Sequence, residues 1–111
     1  MSDFNKEEMF QQIKEYIKNI NSIIQNIVGD IRENNNISNL VDILDSLAYC
    51  FRGLNLTKEL HNISIDENNF KEKVEEILEA TQNEDYNLIA DIVEYEILEN
   101  VENLNIKLEN I

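Results

Sequence analysis

The sequence predicts an all-α protein, an antiparallel four-helix bundle, on three observations. It holds no proline and only two glycines in 111 residues, so little in it interrupts a long helix. Its apolar residues recur at spacings of three and four, the period of a helix face rather than of a strand. Four such stretches are joined by short polar connections, which makes antiparallel neighbours the default arrangement. The length suits one domain, read as residues 1–111.

The first helix is expected over residues 5–33. Phe10, Ile13, Ile17, Ile20, Ile24, Ile27 and Ile31 form a heptad seam. Tyr16, Ile23 and Val28 widen it into a stripe suited to a bundle rather than a bare two-stranded coil. The run Asn34-Asn35-Asn36 ends it, because short amide side chains favour turns.

The second helix is expected from an N-cap at Ser38, with Leu40, Val41, Ile43, Leu44, Leu47, Ala48, Phe51 and Leu54 on one face. Leu56, Leu60 and Ile63 point elsewhere, so the helix is expected to break near Gly53 and resume as a short extra turn from Thr57. Ser64-Ile65-Asp66-Glu67 reads as a capping box that opens a third helix with the face Phe70, Val74, Ile77, Leu78 and Thr81. Thr81-Gln82-Asn83-Glu84 reads as a second box that opens the fourth. In that last helix the stripe rotates. Leu88, Ile89 and Ile92 face one way, while Ile97, Val101, Leu104, Leu108 and Ile111 lie roughly 130° around. A bend, two packing environments, or a tail against a partner would each account for it.

Charge narrows the function classes. Aspartate and glutamate outnumber lysine and arginine by 23 to 9, a net charge of −14. Residues 1–65 carry nine acids and six bases, giving −3, and residues 66–111 carry fourteen and three, giving −11. Such a surface repels phosphate backbones and anionic bilayers, so nucleic acid and membrane are not expected partners. A basic protein is favoured, although the charge also serves solubility. No basic-then-apolar leader begins at Met1-Ser2-Asp3-Phe4, and no apolar run approaches a membrane span, so the expected location is cytoplasmic. Heavy use of Asn and Ile reads as bacterial, AT-rich coding.

Chemistry-bearing clusters are scarce. With one histidine, His61, and no Glu-x-x-His, a di-iron bundle is not indicated, and one His and one Cys far apart are not a zinc set. Arg52 and His61 are nine apart, too far for the Arg-x4–6-His spacing of a HEPN-type RNase. Cys50 reads as a buried, inert thiol, and His61 as a surface or helix-end residue. Asp85, Asp91, Glu94, Glu96 and Glu99 form no calcium loop and read as a solvated acidic face. No catalytic residue, cofactor or metal ligand is therefore assigned.

Glu96 stands apart. On a helical wheel it falls between Ile89 and Ile92, where a carboxylate needs a partner or an escape to solvent. An Arg52–Glu96 pair is one expectation, and a bend that exposes Glu96 the other. Tyr49, Leu56 and Leu60 make either an exposed apolar patch or a set packed beneath a connecting loop. With Glu72, Glu75, Glu76, Glu79, Asp91, Glu94 and Tyr95 they form the candidate interaction surface.

Residues 84–96, Glu-Asp-Tyr-Asn-Leu-Ile-Ala-Asp-Ile-Val-Glu-Tyr-Glu, resemble the pattern D-Y-x-L-x-A-D-x-x-E-Y-E. That pattern occurs near the C-terminus of short all-helical Firmicutes proteins of unknown function. The resemblance implies a bacterial origin and brings no activity. The expected function is a non-enzymatic interaction module, chaperone-like or immunity/antitoxin-like, whose partner is basic or amphipathic. A carboxylate-based metal-binding or enzymatic bundle and a structural homo-oligomer, such as a homodimer, are the alternatives.

Overall fold

The computed structural model describes residues 5–111, so the reading of Met1–Phe4 lies outside it. The protein is an all-α bundle, with no strand among the described residues. α1 spans Lys6–Asn34, α2 Leu40–Leu56, and a 3₁₀ turn Lys58–Leu60. α3 spans Glu67–Gln82. α4, Tyr86–Ile92, runs through a π-helical segment, Val93–Leu98, into α5, Glu99–Glu109.

α1 is the spine. Asn5 caps it by accepting the Glu8 amide at 3.0 Å, and Glu7 and Glu8 complement the N-terminal dipole. At the far end Asn35 turns left-handed (φ 52°), and the Asn35 and Asn36 amides take up the Ile31 and Asp30 carbonyls. Every residue of the expected seam is buried, along with Val28. Ile23 is not, at 44% exposure. α1 packs against α2, α4, the π segment and α5, so the seam faces all of them at once. Its 29 residues, at ~1.5 Å each, account for the 46 Å long axis of a molecule only 24 × 22 Å across.

α2 begins at Leu40, not at Ser38; the Ser38 hydroxyl is engaged with Asn36 Oδ1 instead. The expected break falls a little beyond Gly53: α2 runs through it to Leu56, and the expected short extra turn follows as a 3₁₀ turn. Gly53 is there for space. A Cβ on it would run into Ile13 Cδ1 across the α1–α2 contact. Gly29 on α1 differs, because a Cβ there meets nothing within 4 Å. Val41 and Ala48, expected in the core, are exposed, and Cys50 is buried in their place.

These two glycines give a contrasting prediction. Gly29→Ala should raise stability by about 0.5–1 kcal/mol through helix propensity and a less flexible unfolded chain. Gly53→Ala should gain less than Gly29→Ala, because its Cβ must first displace the end of the Ile13 side chain. Ile13→Val, which removes the clashing carbon, should restore part of that gain. Urea unfolding of the four proteins in that double-mutant cycle checks the coupling.

The α2–α3 connection is held by side chains. Asn55 pairs with Ile65 as a strand would: its Oδ1 accepts the Ile65 amide and its Nδ2 donates to the Ile65 carbonyl, both at 2.9 Å. Thr57, fully buried, donates its hydroxyl to the Gly53 carbonyl at 2.9 Å. His61 accepts the Ile63 amide on Nδ1 at 2.9 Å and lies 2.9 Å from the Leu54 carbonyl through Nε2. Those partners fit a neutral ring that donates from Nε2. The ring also stacks on Phe10, centroids 4.9 Å apart. His61 is thus a half-buried helix-end residue that ties the connection to α1.

α3 is capped by Asp66, which accepts the Asn69 amide, rather than by Ser64. Ile77 and Ala80 are its buried residues, Phe70 and Val74 pack partly, and Leu78 is exposed. The second expected box does not form either. Thr81 bonds back to the Ile77 carbonyl inside α3, Glu84 turns left-handed (φ 54°), and Asp85 caps α4 through the Leu88 amide.

The π segment explains the rotated stripe. A π turn accommodates one more residue than an α turn, which shifts everything beyond it by about 100° relative to α spacing. That shift cancels most of the offset read from the sequence. Ile89, Ile92, Val93, Ile97, Leu98, Val101, Leu104 and Leu108 are all buried. Leu88 and Ile111, expected on the stripe, are exposed.

Candidate functional site

The π segment positions the polar cleft nearest Glu96. α3, α5 and the 61–66 connection complete its walls, and its volume is ≈ 320 Å³. Phe51, Phe70, Ile97 and Leu104 supply apolar walls, while Asn69, Lys73, Glu96, Asn100 and Lys107 supply polar ones. Asn100 Nδ2 donates to the Glu96 carbonyl at 2.6 Å, satisfying a backbone acceptor at the edge of the irregular turn.

The expected Arg52–Glu96 pair is not the one that forms. Glu96 Oε1 lies 3.1 Å from Lys73 Nζ, and Arg52 Nε lies 3.7 Å from Glu67 Oε1. The cause is the π turn. It carries Glu96 off the apolar face toward α3, while exposed Arg52 on α2 faces the first turn of α3. Hydrogen bonds to Glu96, and then to Glu76, hold the Lys73 ammonium above the usual lysine value. The pair is half-exposed, so it adds little to stability.

Asp91 and Glu94 also have a specific partner. Arg32 near the end of α1 bonds both, Nη2 to each at 2.9 Å. Those carboxylates, Asp91 first, raise the guanidinium above its ordinary value. Tyr95 beside them is exposed at 61%. Glu72, Glu75, Glu76 and Glu79 are all exposed on α3, with Glu76 bonded to Lys73 at 3.2 Å. No group of three or more His, Cys, Asp or Glu among the described residues is placed to hold a metal ion. No helix among them is long and apolar enough to cross a membrane.

Tyr49, Leu56 and Leu60 all reach solvent, so the reading that buried them under a loop is corrected. Burial requires a covering segment, and the 3₁₀ turn carries Leu60 outward instead. Tyr49, 68% exposed, lines a hollow of ≈ 640 Å³ between α1 and α2 with Met9, Ile13, Tyr16 and Cys50. A second hollow of ≈ 700 Å³, with Ile23, Ile27 and Ile43 in its wall, lies further along the same two helices. Met9, Tyr16, Ile23 and Asp30 are seven apart on α1, as are Asp42, Tyr49 and Leu56 on α2. Sevenfold spacing keeps residues on one face, so both hollows belong to one side of the α1–α2 pair.

Cys50 is buried at the edge of the first hollow, and desolvation pushes its thiol up to about 11. It is therefore protonated and unreactive near neutral pH. The α1–α2 groove is hard to see in the sequence because Met9 and Tyr16 flank a core stripe. The line 9–16–23–30 was the available signal.

Among known proteins, residues 8–107 match the family described as a domain of unknown function (DUF8042). No curated protein and no solved structure matches the chain.

Proposed function

The chain belongs to the DUF8042 family, and from that premise we propose that it is a non-enzymatic bacterial interaction module, working in the cytoplasm. It presents an acidic helical surface to a basic or amphipathic protein, in the manner of a small chaperone or an immunity protein. One observation carries this reading: the −11 charge of residues 66–111, with Glu72, Glu75, Glu76 and Glu79 all in solvent on α3. Glu72 and Glu76, and Glu75 and Glu79, are like-charge pairs four apart, each costing an isolated helix about 0.2–0.5 kcal/mol. A basic partner offsets that repulsion, and the field draws it in before contact.

The test is kinetic. A partner recovered from a bacterial host is measured against the wild type and the variant Glu72→Gln/Glu75→Gln/Glu76→Gln/Glu79→Gln. The wild-type association rate should fall several-fold as salt rises through the physiological range, and the variant should associate several-fold more slowly at low salt. Association that ignores both salt and the four substitutions would overturn the reading.

A further inference from the structure

The geometry points to the α1–α2 groove as the seat of a partner's amphipathic helix with lysine- or arginine-bearing edges, an inference that rests on the interaction reading above. The two hollows lie on one side of the same helix pair. From Met9 to Asp30 the line on α1 rises about 32 Å, the length of a helix of roughly 20 residues. Met9, Tyr16, Ile23, Ile43 and Tyr49 supply an apolar lining along it. Helix-in-groove recognition needs such a lining, with anchors presented one turn apart.

Charge selects the occupant. Every charged residue described in the lining is acidic: Glu8 and Asp45 in the first hollow, Asp30, Glu33 and Asp42 in the second. Among the described residues, no lysine or arginine lines either hollow. Lys14 and Lys18 on α1 lie instead on the side shared with Asn105 and Glu109 of α5. Glu8, Glu33, Asp42 and Asp45 are in no ion pair among the described residues. A second copy of this chain would set those carboxylates against their own kind, and an acidic or neutral helix would leave them unmatched. A helix with an apolar face and cationic flanks satisfies the lining and the edges together.

The probe is a synthetic 18-residue peptide of leucine and lysine, with leucines at helical i, i+3, i+4 and i+7 spacing. A peptide of the same composition in scrambled order is the control. The patterned peptide should bind the full chain at least tenfold more tightly than the scrambled one. Ile23→Lys/Tyr49→Lys adds two charges within the groove at solvent-exposed positions, and should weaken binding at least tenfold. Leu88→Lys/Ile106→Lys makes the same charge change at exposed positions outside the groove, and should weaken it no more than about threefold. Circular dichroism and thermal melts confirm that both variants fold. Equal weakening by the two variants overturns the groove while the acidic-surface reading stands. Equal binding of both peptides, lost in salt, does the same. Absence of binding by either peptide at low salt overturns the groove and the reading it rests on.

Discussion

Deleting Ser22 is expected to unfold the protein, and deleting Tyr95 is expected to leave it folded. Both residues are solvent-exposed and helical, so neither loss is a loss of burial. The difference lies in phase. Ser22 sits mid-way along α1, with Phe10, Ile13, Ile17 and Ile20 buried before it and Ile24, Ile27, Val28 and Ile31 after it. Removing one residue turns one set about 100° away from the core relative to the other. Whichever four side chains lose their places, each forfeits about 1.5–3 kcal/mol of burial. Their sum is comparable with the ~5–15 kcal/mol that holds a domain together.

Tyr95 lies within the π segment, where the chain already carries one residue too many for α spacing. Taking it out lets α4 and α5 join as one α-helix with Ile89, Ile92, Val93, Ile97, Val101, Leu104 and Leu108 still in phase. Stability should change by no more than about 1–2 kcal/mol, with the half-exposed Lys73–Glu96 pair the main contact at risk. Circular dichroism and urea titration of both deletion variants decide the matter. A Tyr95 deletion as damaging as the Ser22 deletion would show that the π segment is not a register correction.

Truncation within the seam should have the next largest effect. Ile24 is fully buried near the centre of α1, and Ile24→Ala removes three carbons from the core. The expected cost is about 2–5 kcal/mol, the sum of lost transfer energy and the cavity left behind. A chain of this size should lose on the order of 10–20 °C in Tm. Ile23→Ala next to it, on the exposed side, should stay within about 0.5 kcal/mol of wild type. Thermal and urea unfolding measure both, and near-equal losses would mean that the seam is displaced by one residue. Ile23→Ala also removes a groove side chain without adding charge, so its mild effect on stability supports using this position to probe binding.

The sequence fared unevenly as a guide, for physical reasons. The α1 seam was legible residue by residue, because a helix that packs on several neighbours needs a broad apolar face with a regular period. Helix caps lie one residue beyond Ser38, two beyond Ser64 and four beyond Thr81. Several oxygen-bearing residues stood near each start, and only backbone geometry selects which of them caps. The turned stripe of Leu56, Leu60 and Ile63 suggested a break near Gly53, whereas α2 runs through Gly53 to Leu56 and the 3₁₀ turn after it takes up the change of direction. The acidic surface is countable from the residues, but neither expectation for Glu96, a pair with Arg52 or release to solvent by a bend, names Lys73 as its partner. Its direction depends on a π turn that no α-helical wheel contains. The groove was hidden because exposed apolar residues at the flank of a seam look like more core until the neighbouring helices are in place.

By itself, then, the sequence determined what periodicity and composition can carry: an all-α fold, α1 and its buried face, an acidic second half, and a buried lone cysteine. Only the tertiary structure decided the phase of the last helix, the partners of Arg32, Arg52 and Glu96, and which apolar residues stay uncovered. Those depend on where separate helices meet in space. A local pattern records which face of a helix is apolar, but not which neighbour covers it or where cover ends. The acidity that first marks this chain belongs to its later helices, while the open groove, whose charged lining among the described residues is all carboxylate, belongs to its first two.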